Sequence, residues 1–376
     1  MDGFEGDGVM AKLGDVATYI NGYAFKPSDW SDTGVPIIRI QDLTGNSYQA
    51  NRYNGEYAKK YEVLPGDVLI SWSASLGVYV WAGEKAVLNQ HIFKVVFDKC
   101  PIDKSFFVHQ VQEVLSKAES SAHGATMKHL TKPVFDALPF YLPSLDEQRR
   151  IAAVLDKVSG LITKRRKQLD KLDELVKARF VEMFGDEQKR MLISGVCKII
   201  TDGTHQPPPF VSEGIPFLFV SNIVTNTITY NTEKYITQDT YDELIKRTPI
   251  EIGDILLSTV GSYGHPAIVK DNRKFLFQRH IAYLKPKAEV VYSEYLYSAL
   301  LSDDVQKQIE GKVKGVAQKT LNLSEIRTIS IPIPSRDKQK TFCHNLEKIG
   351  KRKLTIQQSL DKLEVLKKAL MQEYFG

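Results

Sequence analysis

The chain has 376 residues, of which 43% are hydrophobic and 25% charged, and its formal net charge of +5 at pH 7 completes a composition typical of globular proteins. No apolar run approaches the roughly 18 residues that a membrane-spanning helix needs, so a membrane role finds no support in the sequence. The three cysteines are far apart and form no Cys-x-x-Cys pair, so neither a disulfide framework nor a zinc knuckle is indicated, and we expect a cytoplasmic protein.

The first nine residues are acidic and rich in glycine, unlike a signal peptide, and we expect residues 1–11 to be a disordered lead. After it, short runs of β-branched and aromatic residues bounded by Gly, Pro, Asn or Asp predict strands. These runs are Val35–Ile40, Val68–Trp72, Val78–Trp81 and Ile92–Phe97. Apolar spacing predicts a helix over Phe106–Glu119. Residues 12–145 are therefore predicted to form the first globular domain, of the α/β class.

A proline-punctuated exit strand, Leu138–Pro143, leads from this domain into a long helix over residues 146–185. Ser144 and Glu147 have the spacing of a capping box at the beginning of that helix. Residues at alternating steps of four and three form the seam of a coiled coil. The seam comprises Ile151, Leu155, Val158, Ile162, Arg165, Leu169, Leu172, Val176 and Arg179.

The second half of the chain repeats the first. The segment Gly124–Leu130 returns as Gly315–Leu321, and Pro143–Gln148 returns as Pro334–Gln339, both at an offset of 191 residues (315 − 124 and 334 − 143). Such a period is far longer than the 20–50 residues of a solenoid unit, so we interpret it as a duplicated domain. The second domain is predicted over residues 186–336 and the second long helix over residues 337–376.

Upstream of these segments the offset between the halves drifts. Gly34 matches Gly214 at 180 residues (214 − 34), and Gly66 matches Gly253 at 187 (253 − 66). The second half has therefore gained residues in its loops, while the exit strand and helix keep a constant offset. We interpret this difference as a constant scaffold that carries divergent loops.

The second helix repeats the seam of the first, with Phe342, Leu346, Ile349, Lys353, Ile356, Leu360, Leu363, Lys367 and Leu370. The two stripes can bury each other in a parallel or an antiparallel pair. The alternative is that each helix packs only on its own domain. The part of each predicted helix that carries the seam extends over about 30–35 residues, and this length speaks against the alternative, because helices in globular proteins average about 11–12 residues.

The search for catalytic chemistry finds little. The chain has neither a phosphate loop of the form G-x-x-x-x-G-K-[ST] nor a G-x-G-x-x-G turn. The proline run Gln206–Phe210 is interpreted as a rigid loop, and His91 and His280 as structural residues. Asp67 and Asp254 follow glycine in turns, where aspartate commonly makes turn hydrogen bonds. We predict no catalytic and no metal-binding residue.

Polar loops next to the strands suit contact with nucleic acid. Lys128 and Lys319 occupy matching glycine-rich loops and suit phosphate contacts, while amide, hydroxyl and aromatic side chains can read base edges. The predicted DNA contacts are Arg39, Gln41, Trp72, Ser73, Lys128 and His129 in the first half, and Asn222, Ser262, Tyr263, Gln318 and Lys319 in the second. Basic clusters at Lys164–Lys167 and Lys351–Lys353 are either solvated helix faces or contacts to DNA or an acidic partner.

In its order of motifs the chain resembles the specificity subunits of type I restriction-modification systems. The motifs are the Gly-[Val/Ile]-Pro openings at Gly34 and Gly214, the Gly-Asp turns at Gly66 and Gly253, the exits ending at Gln148 and Gln339, and the helix ends Phe184-Gly185 and Phe375-Gly376. The resemblance extends from about Lys12 over the rest of the chain. It implies an α/β (α+β) fold with two similar target recognition domains, separated by two long helices that pair as an antiparallel coiled coil.

The resemblance also implies partners. Each domain would read one half of a split target in double-stranded DNA, and two methyltransferase subunits and a restriction subunit would join the assembly. S-adenosylmethionine, ATP and Mg²⁺ are expected on those partners, and no cofactor on this chain. Because the loops of the two halves diverge, we expect an asymmetric target.

Two alternatives remain open. The chain could be a self-contained restriction or modification enzyme, in which case it would cleave or methylate DNA without added subunits. It could also be an assembly scaffold joined by its coiled coil, in which case binding would show none of the salt dependence that phosphate contacts confer.

Overall fold

The structure, a computed structural model, describes residues 8–45, 51–73, 75–121, 131–315 and 319–376. It forms two compact units, Met1–Arg165 with Ser359–Gly376 and Arg166–Gln358. Each unit combines one globular domain with the beginning of one long helix and the end of the other. The units therefore cut through both helices, whereas the predicted domain division gave each helix a segment of its own.

The first unit contains ten strands among its described residues. They are β1 (Val9–Lys12), β2 (Thr18–Asn21), β3 (Val35–Ile38), β4 (Arg52–Tyr53), β5 (Glu62–Val63), β6 (Val68–Ser71), β7 (Gly77–Val80), β8 (Ala86–Leu88), β9 (Ile92–Val96) and β10 (Pro139–Leu142). Its helices are α1 (Leu13–Val16), α2 (Ile40–Leu43), α3 (Lys104–Ser121), α4 (Lys132–Asp136) and the beginning of α5 (Leu145–Phe184). The sheets have the orders β1-β10, β2-β9-β6-β7 and β4-β3-β8-β5.

The predicted disordered lead is wrong for Val9–Ala11. These residues belong to β1, which pairs antiparallel with β10 in a register that places Val9 opposite Leu142. The pairing satisfies backbone groups that would otherwise remain open along the edge of the exit strand. Residues 1–7 lie outside the described residues.

The second unit repeats this plan. Its strands are β11 (Arg190–Leu192), β12 (Cys197–Asp202), β13 (Ile215–Leu218), β14 (Tyr235–Ile236), β15 (Ile255–Ser258), β16 (Pro266–Ile268), β17 (Leu276–Phe277), β18 (Ile281–Pro286) and β19 (Ser330–Pro332). Its helices are α6 (Ile193–Val196), α7 (Gln238–Leu244), α8 (Ser293–Leu300), α9 (Asp303–Lys312), α10 (Leu323–Arg327) and the beginning of α11 (Arg336–Phe375). The sheet orders β11-β19, β12-β18-β15-β16 and β14-β13-β17 correspond to those of the first unit, except that the third sheet has no counterpart of β5 among the described residues. This correspondence agrees with the predicted duplication.

The long helices pack into the cores of both units. In the first unit the beginning of α5 contributes Leu155 to a core that also contains Met371 from the end of α11. In the second unit Phe184, from the end of α5, lies 5.4 Å from Phe342, at the beginning of α11, between ring centroids. Because each unit joins the beginning of one helix to the end of the other, the helices are antiparallel. This confirms the predicted fold class and removes the alternative in which each helix packs only on its own domain.

The predicted seams coincide with the less exposed faces of the helices. Every seam residue in α5 and α11 is buried or half-buried. Lys353, a charged interruption of the second seam, makes an ion pair with Asp173 of α5. The interruption therefore places an attractive charge pair between the helices of the second unit.

A buried glutamine anchors the beginning of each long helix. Gln148 is 1% exposed and accepts a hydrogen bond from the Asp103 N–H at 2.9 Å, while its Nε2 donates to the Pro143 carbonyl at 3.0 Å. Gln339 repeats the arrangement, accepting from the Tyr292 N–H at 3.1 Å and donating to the Pro334 carbonyl at 3.1 Å. This explains why the exit motif ends in glutamine in both halves, since a buried amide of this kind must find partners for its donors and its acceptor.

A serine begins each helix. The Ser144 hydroxyl accepts a hydrogen bond from the Glu147 N–H at 3.3 Å, and Ser335 accepts one from the Lys338 N–H at 3.4 Å. The Glu147 carboxylate pairs with Arg150, which lowers the pKa of that glutamate. No helix in the described part of the chain is both long and apolar enough to cross a membrane.

Candidate nucleic-acid interface

The loop after β15 brings three of the predicted contact residues together. The Gly261 N–H donates to the Lys319 carbonyl at 3.1 Å, and the Leu321 N–H donates to the Thr259 carbonyl at 2.8 Å. Gly261 has a φ of +71°, a conformation that glycine adopts without strain. The Lys319 ammonium lies 6.0 Å from the centroid of the Tyr263 ring.

This loop therefore presents a cation beside an aromatic ring. Lys319 and Ser262 are exposed, and Tyr263 is half-buried. Gln318, the fourth predicted contact of this region, lies outside the described residues. A cation and hydroxyl groups at one edge suit contact with a phosphate backbone.

Asn222 has a different role from the predicted one. Its side chain is 4% exposed, and its Nδ2 donates to the carbonyls of Thr229 at 3.0 Å and Asn231 at 2.9 Å. Its Oδ1 accepts from the Phe219 N–H at 2.9 Å. Because these bonds hold the loop that follows β13, we leave Asn222 out of the proposed DNA contacts.

In the first unit Arg39 and Gln41 lie at the beginning of α2. The Arg39 guanidinium lies 4.6 Å from the centroid of the Trp30 ring, and the Arg39 N–H donates to the Asp42 carboxylate at 2.8 Å. Gln41 accepts a hydrogen bond from the Thr44 hydroxyl through its backbone carbonyl, so its side-chain amide is not used in that bond. Both residues are half-buried, and the aromatic contact is that of Arg39 with Trp30.

Trp72 and Ser73 follow β6. The Trp72 ring is stacked on Phe93, with centroids 5.7 Å apart and planes inclined by 23°. Ser73 is 4% exposed. The two side chains therefore contribute to packing under the loop. Lys128 and His129 lie outside the described residues.

Two turns with the same backbone hydrogen bonds lie before β9 and β18. We call them the tip turns, Asn89–His91 in the first unit and Gln278–His280 in the second. In the first, the Gln90 N–H donates to the Tyr23 carbonyl at 2.9 Å, and in the second the Arg279 N–H donates to the Thr204 carbonyl at 3.0 Å.

Five further backbone bonds around each tip turn also match. In the first unit they are Gly22 to Ile92, Tyr23 to Leu88, Asn89 to Ile38, Ile92 to Asn89 and Trp72 to His91, written from N–H to carbonyl. In the second they are Gly203 to Ile281, Thr204 to Phe277, Gln278 to Leu218, Ile281 to Gln278 and Thr259 to His280. The backbone of the tip turns is thus held in the same way in both domains.

A glycine makes each tip turn possible. A Cβ atom on Gly22 would lie 2.1 Å from the Asn89 carbonyl oxygen, and one on Gly203 would lie 2.2 Å from the Phe277 carbonyl oxygen. Both distances are far inside van der Waals contact. Any other residue would push the tip turn out of place.

The tip turn of the second unit borders two cavities. One, of about 330 Å³, is lined by Asp202, Thr259, Val260, Arg279, His280 and Thr320, among others. The other, of about 400 Å³, is lined by Arg279 and His280 together with the Gln206–Phe210 region. Burial, with a smaller contribution from the nearby Arg279, lowers the pKa of His280, so its imidazole is neutral at neutral pH.

Asp202 organises the charges at this end of the second domain. It pairs with His205 at 3.0 Å and with the guanidinium of Arg247. Arg247 is therefore neutralised within the domain. Arg279, by contrast, is exposed and has no ion-pair partner in the described part of the chain.

The aspartates that follow glycine serve the turns, as interpreted from the sequence. Asp67 accepts from the Leu64 N–H at 2.9 Å, and Asp254 from the Glu251 N–H at 2.8 Å. Asp254 also accepts from the Tyr283 hydroxyl at 2.6 Å and pairs with Lys285 at 3.2 Å. Within the described ranges, no group of three or more His, Cys, Asp or Glu is placed to hold a metal ion.

Sequence comparison passed over one position in each tip turn. The interpretation of His91 and His280 as structural residues makes no use of the residue before each histidine, which is Gln90 in one half and Arg279 in the other. The available signal was a change of side chain between two otherwise matched segments.

Relatives named as specificity subunits of type I restriction enzymes match nearly the whole chain. The type I restriction enzyme EcoBI specificity subunit of Escherichia coli is 26% identical over 372 residues, covering 90% of this chain and 78% of its own length. The MjaVIII specificity subunit of Methanocaldococcus jannaschii is 23% identical over 393 residues, covering 97% of this chain and 91% of its own.

Solved structures share the fold. One solved structure comes from a study of complex assembly and conformational transition of the type I R-M system. The match covers 100% of this chain and 99% of the chain in that structure, with a TM-score of 0.56 and 16% identity. The S subunit of a type I system from M. genitalium covers 100% and 98%, with a TM-score of 0.52 and 14% identity. At such identities the likeness concerns the fold alone.

The family model described as type I restriction modification DNA specificity domain matches twice, over residues 6–172 and 193–367. The two matches fall one in each half of the duplication and together include most of the chain. They confirm the resemblance recognised in the motifs, and the chain belongs to the family of type I restriction-modification DNA specificity subunits.

Proposed function

We propose that the two domains read the two halves of one bipartite, asymmetric target in double-stranded DNA. The observation that carries the proposal is a duplicated scaffold with different side chains at matched places. The tip turns share their backbone hydrogen bonds, yet one carries Gln90 and the other Arg279. Two similar domains with different reading surfaces would recognise different half-sites.

We further propose that catalysis is performed by partners. Two methyltransferase subunits and a restriction subunit would dock on this chain, and S-adenosylmethionine, ATP and Mg²⁺ would be bound by those partners. The EcoBI and MjaVIII relatives are named as specificity subunits, which supports this division of labour. DNA as the ligand supports a cytoplasmic location.

The decisive experiment exchanges residues 12–143 for the corresponding domain of another specificity subunit. Modified bases are then mapped in DNA from cells that carry the complete system. We expect one half of the target to change and the other half to remain. A palindromic target for the parent chain, or a change in both halves after the exchange, would refute the proposal.

A second exchanged chain controls for packing. The core of the first unit includes Met371, with Leu370, Tyr374 and Phe375 packed against it, so the new domain has to fit the end of α11. Replacing residues 359–376 together with 12–143 restores that fit. Both exchanged chains are expected to give the same new half-target.

The self-contained enzyme remains the rival to this assignment. The purified chain is incubated with DNA, Mg²⁺ and a labelled methyl donor, without added subunits. We expect neither cleavage nor methyl transfer. Either reaction above the level of a mock preparation would favour the rival.

Lys319→Ala is expected to weaken DNA binding by a similar factor for all sequences. Loss of one phosphate contact should reduce the slope of log K against log salt concentration by about 0.9. Lys314→Ala is the matched control, because the Lys314 ammonium already pairs with Glu325 at 2.8 Å. Binding is measured by fluorescence anisotropy over a salt series. An unchanged slope in Lys319→Ala would reject the phosphate contact, and a parent chain without any salt dependence would favour the scaffold alternative.

A further inference from the structure

The matched tip turns carry different side chains at their central residue, Gln90 in the first unit and Arg279 in the second. Their backbones are fixed by six corresponding hydrogen bonds in each domain. A side chain that starts from a fixed backbone loses less freedom on binding, and a reading residue benefits from such preorganisation. The two domains therefore share the backbone of the tip turn and differ in the side chain that it carries.

Glutamine and arginine, the two side chains found at this position, can each make a bidentate contact with a base, but they select different bases. In the major groove, a glutamine amide contacts adenine through its N6 and N7, and an arginine guanidinium contacts guanine through its O6 and N7. Both contacts are bidentate, so each distinguishes one base pair from the other three. A substitution between these two side chains changes the base that is read and leaves the mode of contact the same.

The surroundings of Arg279 suit such a contact. Its side chain is exposed and lies at the border of both cavities of the second domain. Thr259, whose N–H donates to the His280 carbonyl at 3.0 Å, also accepts from Leu321, two residues after Lys319. The arginine therefore lies next to the segment that carries the proposed phosphate contact.

Gln90 occupies the corresponding backbone position in the first unit. Its side chain is half-buried, and its Nε2 lies 3.3 Å from the Nε2 of His91. The Trp72 N–H, which corresponds to that of Thr259, lies 3.5 Å from the His91 carbonyl. The amide is thus held beside an imidazole at the same place in the fold.

We propose that Gln90 and Arg279 each read one base of their half-site, Gln90 an adenine and Arg279 a guanine. The proposal rests on the proposed function and goes beyond it by naming the specificity-determining position in each domain and the base that it selects. The two domains would use one reading position with two different side chains.

The test exchanges the two side chains. Arg279→Gln and Gln90→Arg are each assembled with the methyltransferase subunits, and modification is sequenced in a pool of DNA duplexes with randomised target positions. Arg279→Gln is expected to change the preference from guanine to adenine at one position of one half-site. Gln90→Arg is expected to make the opposite change in the other half-site. Each preference should amount to about 5- to 150-fold.

Matched variants separate base reading from loss of charge and from misfolding. Arg273→Gln removes the charge of another exposed arginine, whose guanidinium lies 4.2 Å from the centroid of the Tyr230 ring, and should leave the target unchanged. Unaltered reading of the other half-site shows that the complex still assembles. If Arg279→Gln does not fold, the Gln90→Arg result decides.

The possible failures are distinguishable. A parent complex that modifies DNA without sequence preference would overturn the proposed function itself. A parent complex with a defined target, and exchanged variants that keep that target or lose affinity equally for all sequences, would overturn only the assignment of Gln90 and Arg279.

Discussion

Phe342→Ala is expected to lower the free energy of unfolding of the second unit by about 3–5 kcal/mol. The side chain is fully buried, and its ring lies 5.6 Å from Phe180, 5.4 Å from Phe184 and 6.2 Å from Tyr295 between centroids. Its truncation removes apolar contact and leaves a cavity where both long helices join the domain.

The measurement can separate the two units. All three tryptophans, Trp30, Trp72 and Trp81, belong to the first unit, so tryptophan fluorescence reports the unfolding of that unit, while far-UV circular dichroism reports both. Urea unfolding of Phe342→Ala should shift the part of the dichroism transition that fluorescence does not follow. Leu354→Ala on the same helix removes a side chain that is 61% exposed and should change stability by at most about 0.5 kcal/mol. A loss below about 1 kcal/mol for Phe342→Ala would contradict the packing described.

Gly203→Ala is expected to abolish base preference in one half-site while the other half-site is still read. The added Cβ atom would lie 2.2 Å from the Phe277 carbonyl oxygen and 2.6 Å from the Gln278 carbonyl oxygen, so the tip turn of the second unit must move. A forced displacement of this kind typically costs about 1–3 kcal/mol of stability. The readout is the same modification sequencing that tests Arg279→Gln.

Gly350→Ala provides the control for this glycine. It lies within α11, and a Cβ atom there would meet nothing within 4 Å. The change should stabilise the helix by up to about 1 kcal/mol and leave the target intact. If Gly203→Ala retained full preference in both half-sites, the tip turn would not be a reading element.

Sequence analysis predicted correctly those parts of the fold in which buried residues recur at a regular spacing. The seams of α5 and α11 follow steps of four and three, and each seam position is buried or half-buried in the structure. The strand predicted over Val35–Ile40 ends earlier, at Ile38, although the β-branched Ile40 also favours strand. Asp42 accepts from the Arg39 N–H and begins a helix there, so a local polar contact overrides the strand propensity.

Other features depend on partners that are distant in the sequence. β1 forms because its residues pair with the edge of β10, about 130 residues later. The sequence of residues 9–11 alone does not predict this pairing. Asn222 has an amide side chain of the kind that can read a base edge, but three hydrogen bonds within its own loop occupy that amide. Periodicity contains no information about such pairings.

The candidate site was predictable only in part for the same reason. The matching loops predict Lys319 as a contact and the loop that follows a strand predicts Tyr263, and the Lys319 ammonium lies 6.0 Å from the centroid of the Tyr263 ring. The role proposed for Gln90 and Arg279 became visible only when corresponding backbone hydrogen bonds showed that the two positions are equivalent. Residues with different side chains in a duplicated scaffold escape a search that looks for what the halves share.

The division of the chain into compact units also determines the order in which they can be completed during synthesis. The second unit is a continuous stretch, Arg166–Gln358, whereas the first needs Ser359–Gly376 in addition to its own early residues. The first unit can therefore be completed only after 211 further residues (376 − 165), which takes roughly 10–40 s at ribosomal rates of about 5–20 residues per second. During this interval the apolar surface that later covers Met371 is open, and chaperones that bind nascent chains would find their target on the half that is made first.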